Sequence, residues 1–324
     1  MAVFHTKDIS GKSFLVTGGA GFIGSHIVEY LLSNHAGKVR VLDNFATGSE
    51  KNVTMFARYR NYEFLQGDIR NYTVCAAASD GIDHISHQAA LGSVPRSVQD
   101  PVSTNEVNVG GFVNMITAAK NAGVKSFVYA SSSSVYGDEP SLPKREDRTG
   151  NLLSPYAVTK KANELYATVF CELYGMKVAG LRYFNVFGPR QDPEGPYAAV
   201  IPLFIKGISA HLPVYINGDG EQTRDFTYVE NAVQANVRAM LSDNPDAFGQ
   251  VYNVAVGSNF SVNYLYNSIR ELLDIPHLAS YREPRSGDIR DSLADISKSK
   301  KLLGYEPTFQ FADGLKLTVD FFRK

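Results

Sequence analysis

The chain has 324 residues, of which 44% are hydrophobic, 11% aromatic and 20% charged, proportions that exclude a disordered or fibrous protein. Lysine plus arginine (32) nearly balance aspartate plus glutamate (33), for a net charge of -1, so no global field recruits nucleic acid or an anionic membrane and any anion must be held locally. The start, MAVFHTKD, lacks a secretory apolar core and no later run is long enough to span a membrane, so a cytoplasmic protein is expected. Cys75 and Cys171 stand alone without metal-type spacing, which predicts buried free thiols and no metal site.

Short β-branched runs alternate with stretches of helical length along the first half. SFLVT (13–17), KVRVLD (38–43), YEFLQ (62–66), DHISHQ (83–88) and KSFVYAS (125–131) read as strands, and residues 24–36 and 102–122 as helices. That rhythm predicts an α/β fold, a Rossmann-type doubly wound parallel sheet. A further strand, MKVAGLRYF (176–184), belongs with it. Beyond about residue 180 the pattern loosens into loops such as GPRQDPEGPY (188–197) and EPRSGDIRD (283–291), which predicts a smaller, irregular α/β lobe. The expected division is 1–180 and 181–324, with some later segments returning to the first domain.

The first strand runs into TGGAGFIGSH (17–26). Gly18 permits a tight turn, Gly21 lets a pyrophosphate approach the backbone, and Gly24 allows close helix packing, while the helix N-terminus faces the anion. The next strand ends at Asp43, whose carboxylate accepts from ribose hydroxyls and repels a 2′-phosphate, so NAD is favoured over NADP. Asp68, in QGDIR, either faces the adenine or caps a turn.

Tyr156 and Lys160, in SPYAVTKK (154–161), stand four residues apart and therefore share one helix face. A free tyrosine has a pKa of about 10, and lowering it by about three units needs roughly 4 kcal/mol of preferential phenolate stabilisation. Lys160 and the positive ring of an oxidised nicotinamide are the expected sources. Upstream, SSSSVYGD (131–138) places hydroxyls at the C-terminal edge of a parallel sheet, where open α/β folds bind ligands.

Taken in order, TGGAGFIG, HQAA (87–90), SSSSVYGD, SPYAVTK, LRYFNVFGPRQ (181–191), INGDGEQTRDFTYV (216–229) and RSGDIRDSLADISK (285–298) make the chain resemble an extended short-chain dehydrogenase/reductase of the UDP-sugar 4-epimerase type, over nearly its whole length. The resemblance implies that Tyr156 is the acid/base, that Lys160 is its partner and a ribose ligand, and that Ser132 or Ser133 steers the sugar O4. It implies further NAD contacts at Phe22, Ile23, Asn44, Gly48, Ile69, Gln88, Ala89, Ala90 and Tyr183. On the sugar-nucleotide side it implies Arg224, Arg285 and Asn185 at the diphosphate, Ala199, Val200, Tyr215 and Asn217 around the uridine, and Asp288 at its ribose. Gly92 and Ser93 are implied beside the sugar.

In the same resemblance Ser292 occupies a gate beside the sugar C2 substituent, where strictly non-acetylated epimerases carry tyrosine. With GSVPRS (92–97), it points to UDP-N-acetylglucosamine, with the uronic acid form and UDP-glucose as alternatives. A 4,6-dehydratase is disfavoured, because Ser133 and Ser134 stand where related dehydratases carry Asp-Glu. A homodimer through two helices of the first domain is a further implication.

Overall fold

A computed structural model describes residues 3–194, 198–284 and 290–323. Its centre is a sheet of strands β1 (Ser13–Thr17), β2 (Lys38–Asp43), β3 (Tyr62–Gln66), β4 (His84–His87), β5 (Ser126–Ser132), β6 (Val178–Tyr183) and β7 (Gln250–Val254). Their order is β7-β6-β5-β4-β1-β2-β3, parallel throughout. Four of the five residues of β1 and five of the six of β2 are buried, as parallel strands must be when helices cover both faces. The order reverses between β1 and β4, so a crevice opens over the C-terminal ends of those two strands.

Helix α1 (Phe22–Ser33) leaves the glycine turn directly and stops at Asn34 and the left-handed His35. Residues 102–122 do not form one regular helix. Pro101–Asn105 is followed by a π turn, Glu106–Gly110, before α2 (Gly111–Asn121). Asn108 explains the irregularity locally: buried in the π turn, it accepts from Leu91 N at 2.8 Å and donates to Thr159 Oγ1 at 3.2 Å. The extra residue per turn thus aims one amide at two neighbouring segments.

Helix α3 (Pro155–Tyr174) has Ser154 as N-cap, accepting from Ala157 N at 3.1 Å, Pro155 in the first turn, and left-handed Gly175 beyond its end. Those are strong start and stop signals. It packs with α2 against one apolar layer around Phe112, Phe127 and Tyr129. After α4 (Val200–Ser209), helix α5 (Val229–Met240) joins α1 on the opposite face around Val16, Ile27, Val41 and Leu181.

Residues beyond β6 also build a core of their own. Helices α4, α6 (Val262–Leu273) and α7 (Phe311–Phe322) bury Ile205, Ile208, Leu265, Ile269 and Leu315 against Phe187 and Phe226. Such side chains contribute about 1.5–3 kcal/mol each on burial. Around this core lie two-stranded pairings, including Tyr215–Asn217 with Ser280–Arg282 and Thr223–Arg224 with Phe260–Ser261. Among the described residues no helix is long and apolar enough to cross a membrane. Cys75 is buried, whereas Cys171, packed from α3 against the apolar layer around Phe112 and beside Gly249, is only half-buried; both are free.

Candidate active site

The glycine turn is tighter than spacing alone conveys. Gly18 has φ +70°, and a Cβ there would lie 2.7 Å from Ala89 N; one on Gly24 would lie 2.1 Å from Gly18 O. Gly18 therefore needs both its backbone freedom and its missing side chain, and Gly24 lets α1 pack onto the turn. Gly21 is the N-cap of α1 and supplies no side-chain cap, so first-turn N–H groups are left for an anion. A Cβ on Gly48 would sit 2.7 Å from Ala20 Cβ, so this loop closes on the same turn.

Asp43, buried at the end of β2, accepts from Ala20 N at 3.0 Å and Phe45 N at 2.8 Å. Burial raises its pKa, and these N–H groups oppose the rise. Each carboxylate oxygen retains acceptor capacity for a ribose hydroxyl. Asn44 donates to Asp68 at 2.9 Å, and the Arg70 guanidinium beside Asp68 pulls that carboxyl down to about 2. Asp68 thus fulfils a turn role with Arg70 N and also lines a small recess with Asp43, Asn44 and Ile69. An uncapped helix, a cradle that tolerates no Cβ and a ribose-height carboxylate together fit a dinucleotide.

Tyr156 and Lys160 reach the same crevice from α3. The Lys160 ammonium lies 5.8 Å from the Tyr156 ring centroid and donates to Ala130 O at 2.8 Å. Lys160 is 3% exposed, and burial draws its pKa down to about 8. Burial raises the Tyr156 phenol, and a hydrogen bond with Ser132 opposes the rise. In the protein alone, therefore, the phenol is less acidic than free tyrosine: burial outweighs Ser132, and the lowering expected from Lys160 is not among the causes. Thr17 shares a hydrogen bond of 2.8 Å with His87, which burial and then Lys160 hold neutral, near 3. No second cation from β4 competes with Lys160.

A cleft of about 430 Å³ joins these groups. Gly18, Gly21, Phe22, Ile23, Gly24, Asp43, Gln88, Ala89, Ala90, Gly92, Ser132, Tyr156, Lys160, Tyr183 and Asn185 all line it. Ser133 does not; it begins the short turn that follows β5. Ser93 lies next to the cleft, its hydroxyl engaged as the N-cap of Val94–Gln99, accepting from Arg96 N at 3.2 Å. Thr47, Ala130, Ser131, Val186 and Gln191 also line the cleft, although sequence reasoning had not singled them out. Gln191 stood within the GPRQ stretch, and Ser131 next to Ser132.

Asn236 is a further omission. From α5 it donates to Tyr183 Oη at 2.7 Å and accepts from Gln88 Nε2 at 3.0 Å, while Tyr183 Oη donates to Gln88 Oε1 at 3.0 Å. Asn236 is fully buried, which the sequence alone does not signal.

Of the second-lobe candidates, Asn185 lines that cleft, whereas Ala199, Val200, Tyr215, Asn217, Arg224 and Ser292 are not among its lining residues. Asn185 takes φ +35° and donates to Asp225 O at 3.2 Å. Ala199 is the uncapped N-cap of α4, whose first residue is Val200. Tyr215 lies under the Arg282 guanidinium at 5.2 Å, and Asn217 accepts from Arg282 Nε at 2.6 Å. Arg224 donates to the carbonyls of Thr223 and Arg290. The Ser292 N–H bonds Thr223 O at 3.2 Å, which holds the proposed gate beside the Arg224 strand. Arg285 and Asp288 lie outside the described residues. Among the described residues no group of three or more His, Cys, Asp or Glu is arranged to hold a metal.

Sheet order, glycine cradle and a serine, tyrosine and lysine in one cleft define the class: a Rossmann-type protein of the short-chain dehydrogenase/reductase kind. Residues 14–255 match the NAD dependent epimerase/dehydratase family, and the chain belongs to it. It is 38% identical to a UDP-glucose 4-epimerase of Mycolicibacterium smegmatis, over 95% of this chain and 98% of that protein. A solved UDP-N-acetylglucosamine 4-epimerase of Methanobrevibacter ruminantium, in complex with UDP-N-acetylmuramic acid, is 39% identical. It superposes with a TM-score of 0.91 over 97% of this chain and 98% of the other. A UDP-glucose 4-epimerase of Thermus thermophilus, solved with NAD, is 36% identical with a TM-score of 0.85, covering 96% of this chain and 98% of that one.

Proposed function

We propose that the protein is an NAD-dependent UDP-sugar 4-epimerase, and that its preferred pair is UDP-N-acetylglucosamine and UDP-N-acetylgalactosamine. The observation that carries the reaction class is the meeting of Ser132, Tyr156 and Lys160 with the glycine cradle in one cleft. Bound NAD supplies reversible hydride acceptance at the sugar C4, and its oxidised ring adds positive charge beside the phenol. Tyr156 holds and returns the O4 proton. Ser132 orients that oxygen, and Lys160 favours the phenolate while binding the cofactor ribose. Gly18, Gly21 and Gly24 hold the pyrophosphate and Asp43 the adenosine ribose.

In this reading 1–180 carry the cofactor and the reacting groups, and 181–324 mainly the sugar nucleotide. Arg224, Asn185 and Arg285 bind the diphosphate, guanidinium forks being suited to paired phosphate oxygens. Ala199, Val200, Tyr215, Asn217 and Asp288 hold the uridine. The nucleotide stays fixed while the 4-keto sugar turns about its phosphate linkage, so a roomy sugar site near Gly92 and Ser93 is required.

The choice of sugar rests on Ser292, which leaves space for an N-acetyl group where tyrosine would fill it, and on the M. ruminantium relative. The M. smegmatis and T. thermophilus relatives bear the name UDP-glucose 4-epimerase, so the test must set the sugars side by side. Purified protein is offered UDP-N-acetylglucosamine, its uronic acid form and UDP-glucose, with products followed by NMR. Preferred formation of UDP-N-acetylgalactosamine is expected; preference for either other sugar overturns the assignment.

A homodimer is part of the same reading. Val158, Leu165, Tyr166, Val169 and Leu173 stand exposed on α3 next to exposed Val98 and Val102, an apolar face that a second copy would cover. Sedimentation as a dimer is expected.

A further inference from the structure

Behind the reacting groups lies a buried charge cluster that the reaction scheme does not use. Glu164 stands four residues after Lys160 on α3 and is 5% exposed. Its Oε1 accepts from Ser131 Oγ at 2.7 Å and from Arg182 Nε at 2.8 Å, and its Oε2 accepts from Arg182 Nη2 at 2.8 Å. Arg182, 1% exposed, also donates from Nη1 to Glu146 O at 3.2 Å and lies 4.8 Å from the Tyr136 ring centroid. Burial acts to raise the Glu164 pKa, but Arg182 and Ser131 outweigh it and the net shift is downward. The carboxylate therefore remains charged and fully bonded.

Each partner is chain neighbour to, or one helical turn from, a residue of the cleft. Ser131 precedes Ser132 on β5, Arg182 precedes Tyr183 on β6, and β5 and β6 pair in register at Ser131↔Arg182 and Ser132↔Tyr183. One carboxylate thus fixes the helix of Tyr156 and Lys160 against the strands of Ser132 and Tyr183. It also forms a wall: Ser131 lines the reaction cleft, while Glu164 and Arg182 line a separate outer cleft of about 690 Å³. A fold held only by apolar packing needs no such pair, because a buried ion pair is weak evidence for stability and is often replaceable by apolar side chains.

We propose that Glu164, with Arg182 and Ser131, is a positioning residue that holds the helix of Tyr156 and Lys160 in register with the strand of Ser132 and so sets where the Tyr156 phenol stands in the cleft. The inference rests on the 4-epimerase reading for its kinetic consequence only. The groups that share the cleft with the phenol are Lys160 on its own helix, Ser132 from β5 and Tyr183 from β6, and neutral His87 from β4 neighbours Lys160. Of these, only Ser132 opposes the rise that burial imposes on the phenol. If the register of β5 against α3 slackens, Ser132 and the phenol part, the phenol pKa rises, and the ascending limb of activity moves to higher pH.

Two variants test this in the NAD-loaded protein. Ser131→Ala removes one hydrogen bond without stranding a charge; Glu164→Leu with Arg182→Met removes the pair together. For Ser131→Ala we expect kcat to fall about tenfold with KM within about twofold, and the phenol, followed by NMR titration of labelled tyrosine against Tyr156→Phe, to rise by about half a unit to one unit. The double variant should keep its melting temperature and NAD content yet lose kcat further. Wild-type kcat in a folded double variant, or an unmoved phenol and kcat within about twofold in Ser131→Ala, would overturn the proposal. If the double variant does not fold, Ser131→Ala decides by the same criteria. A wild-type protein inactive on every UDP-sugar would end the 4-epimerase reading instead, and the phenol titration would still judge this inference.

Discussion

The cofactor side of the cleft and the sugar-nucleotide side are built differently. On the cofactor side, backbone groups define the binding surface, and contacts below 3 Å surround the absent Cβ atoms of Gly18 and Gly24. On the other side, the candidates Arg224, Asn217, Tyr215 and Ser292 sit on two- or three-residue strands and loops, in contact with Thr223, Arg290 and Arg282 from neighbouring short segments. The first surface is rigid because it is one turn of a parallel sheet with helices on both faces. The second depends on side chains that can be exchanged singly. The lesson is a division of labour: a fixed cofactor cradle shared across chemistries, beside a lobe in which substrate choice can change without disturbing the sheet.

The largest effect should come at the junction of the two regions. Tyr156→Phe is expected to lower kcat by about 10²–10⁴-fold while bound NAD, read from the absorbance of the purified protein, is retained. Loss of NAD with the hydroxyl would mean that the cofactor surface is less self-sufficient than described. Next, Gly18→Ala places a Cβ 2.7 Å from Ala89 N at φ +70°; protein purified with less than about a tenth of the wild-type NAD content is expected. Full occupancy would break the claim of a cradle without slack.

On the sugar side the effects should be graded. Arg224→Met is expected to raise KM for the UDP-sugar about 10–100-fold, the scale of one lost charge-assisted contact, with kcat little changed. An equal fall in kcat would place Arg224 in the reacting geometry.

The smallest effect concerns stability. The pKa of Lys160 falls from 10.5 to about 8 by burial, so below about 8 the folded state carries a cation that solvent would stabilise better. Between about 8 and 10.5 the unfolded chain binds more protons than the folded one, and stability rises with pH through that window. Lys160→Met should therefore be more stable than wild type at about pH 7, by roughly 1–3 kcal/mol in urea unfolding, with the advantage shrinking as the pH rises towards about 10. A lysine with the proposed catalytic role would thus be kept at a cost in stability.

The same contrast explains what could be read from the amino-acid order. The strands 13–17, 38–43 and 62–66 were legible to the residue, the first two because buried parallel strands are short apolar runs and all three because Gly or Asn follows at once. The glycine turn, Asp43 and the Tyr156 helix were legible for similar local reasons. The π turn at Glu106–Gly110 was not, since its cause is the tertiary reach of Asn108 to Leu91 and Thr159. Nor were Asn236 or the Glu164, Arg182 and Ser131 cluster, whose members meet from distant parts of the chain. Four consecutive serines offered no periodicity to separate Ser132 from Ser133; strand direction at the end of β5 is what sets them apart. In the second lobe the short pairings are too brief to leave a pattern.

The central claim is that hydride leaves C4 and returns to the opposite face of the same carbon. It is tested most directly with UDP-N-acetylglucosamine deuterated at C4, turned over in ordinary water and read by NMR and mass spectrometry. The account predicts UDP-N-acetylgalactosamine with deuterium retained at C4. Inversion with the label washed out to solvent would contradict it.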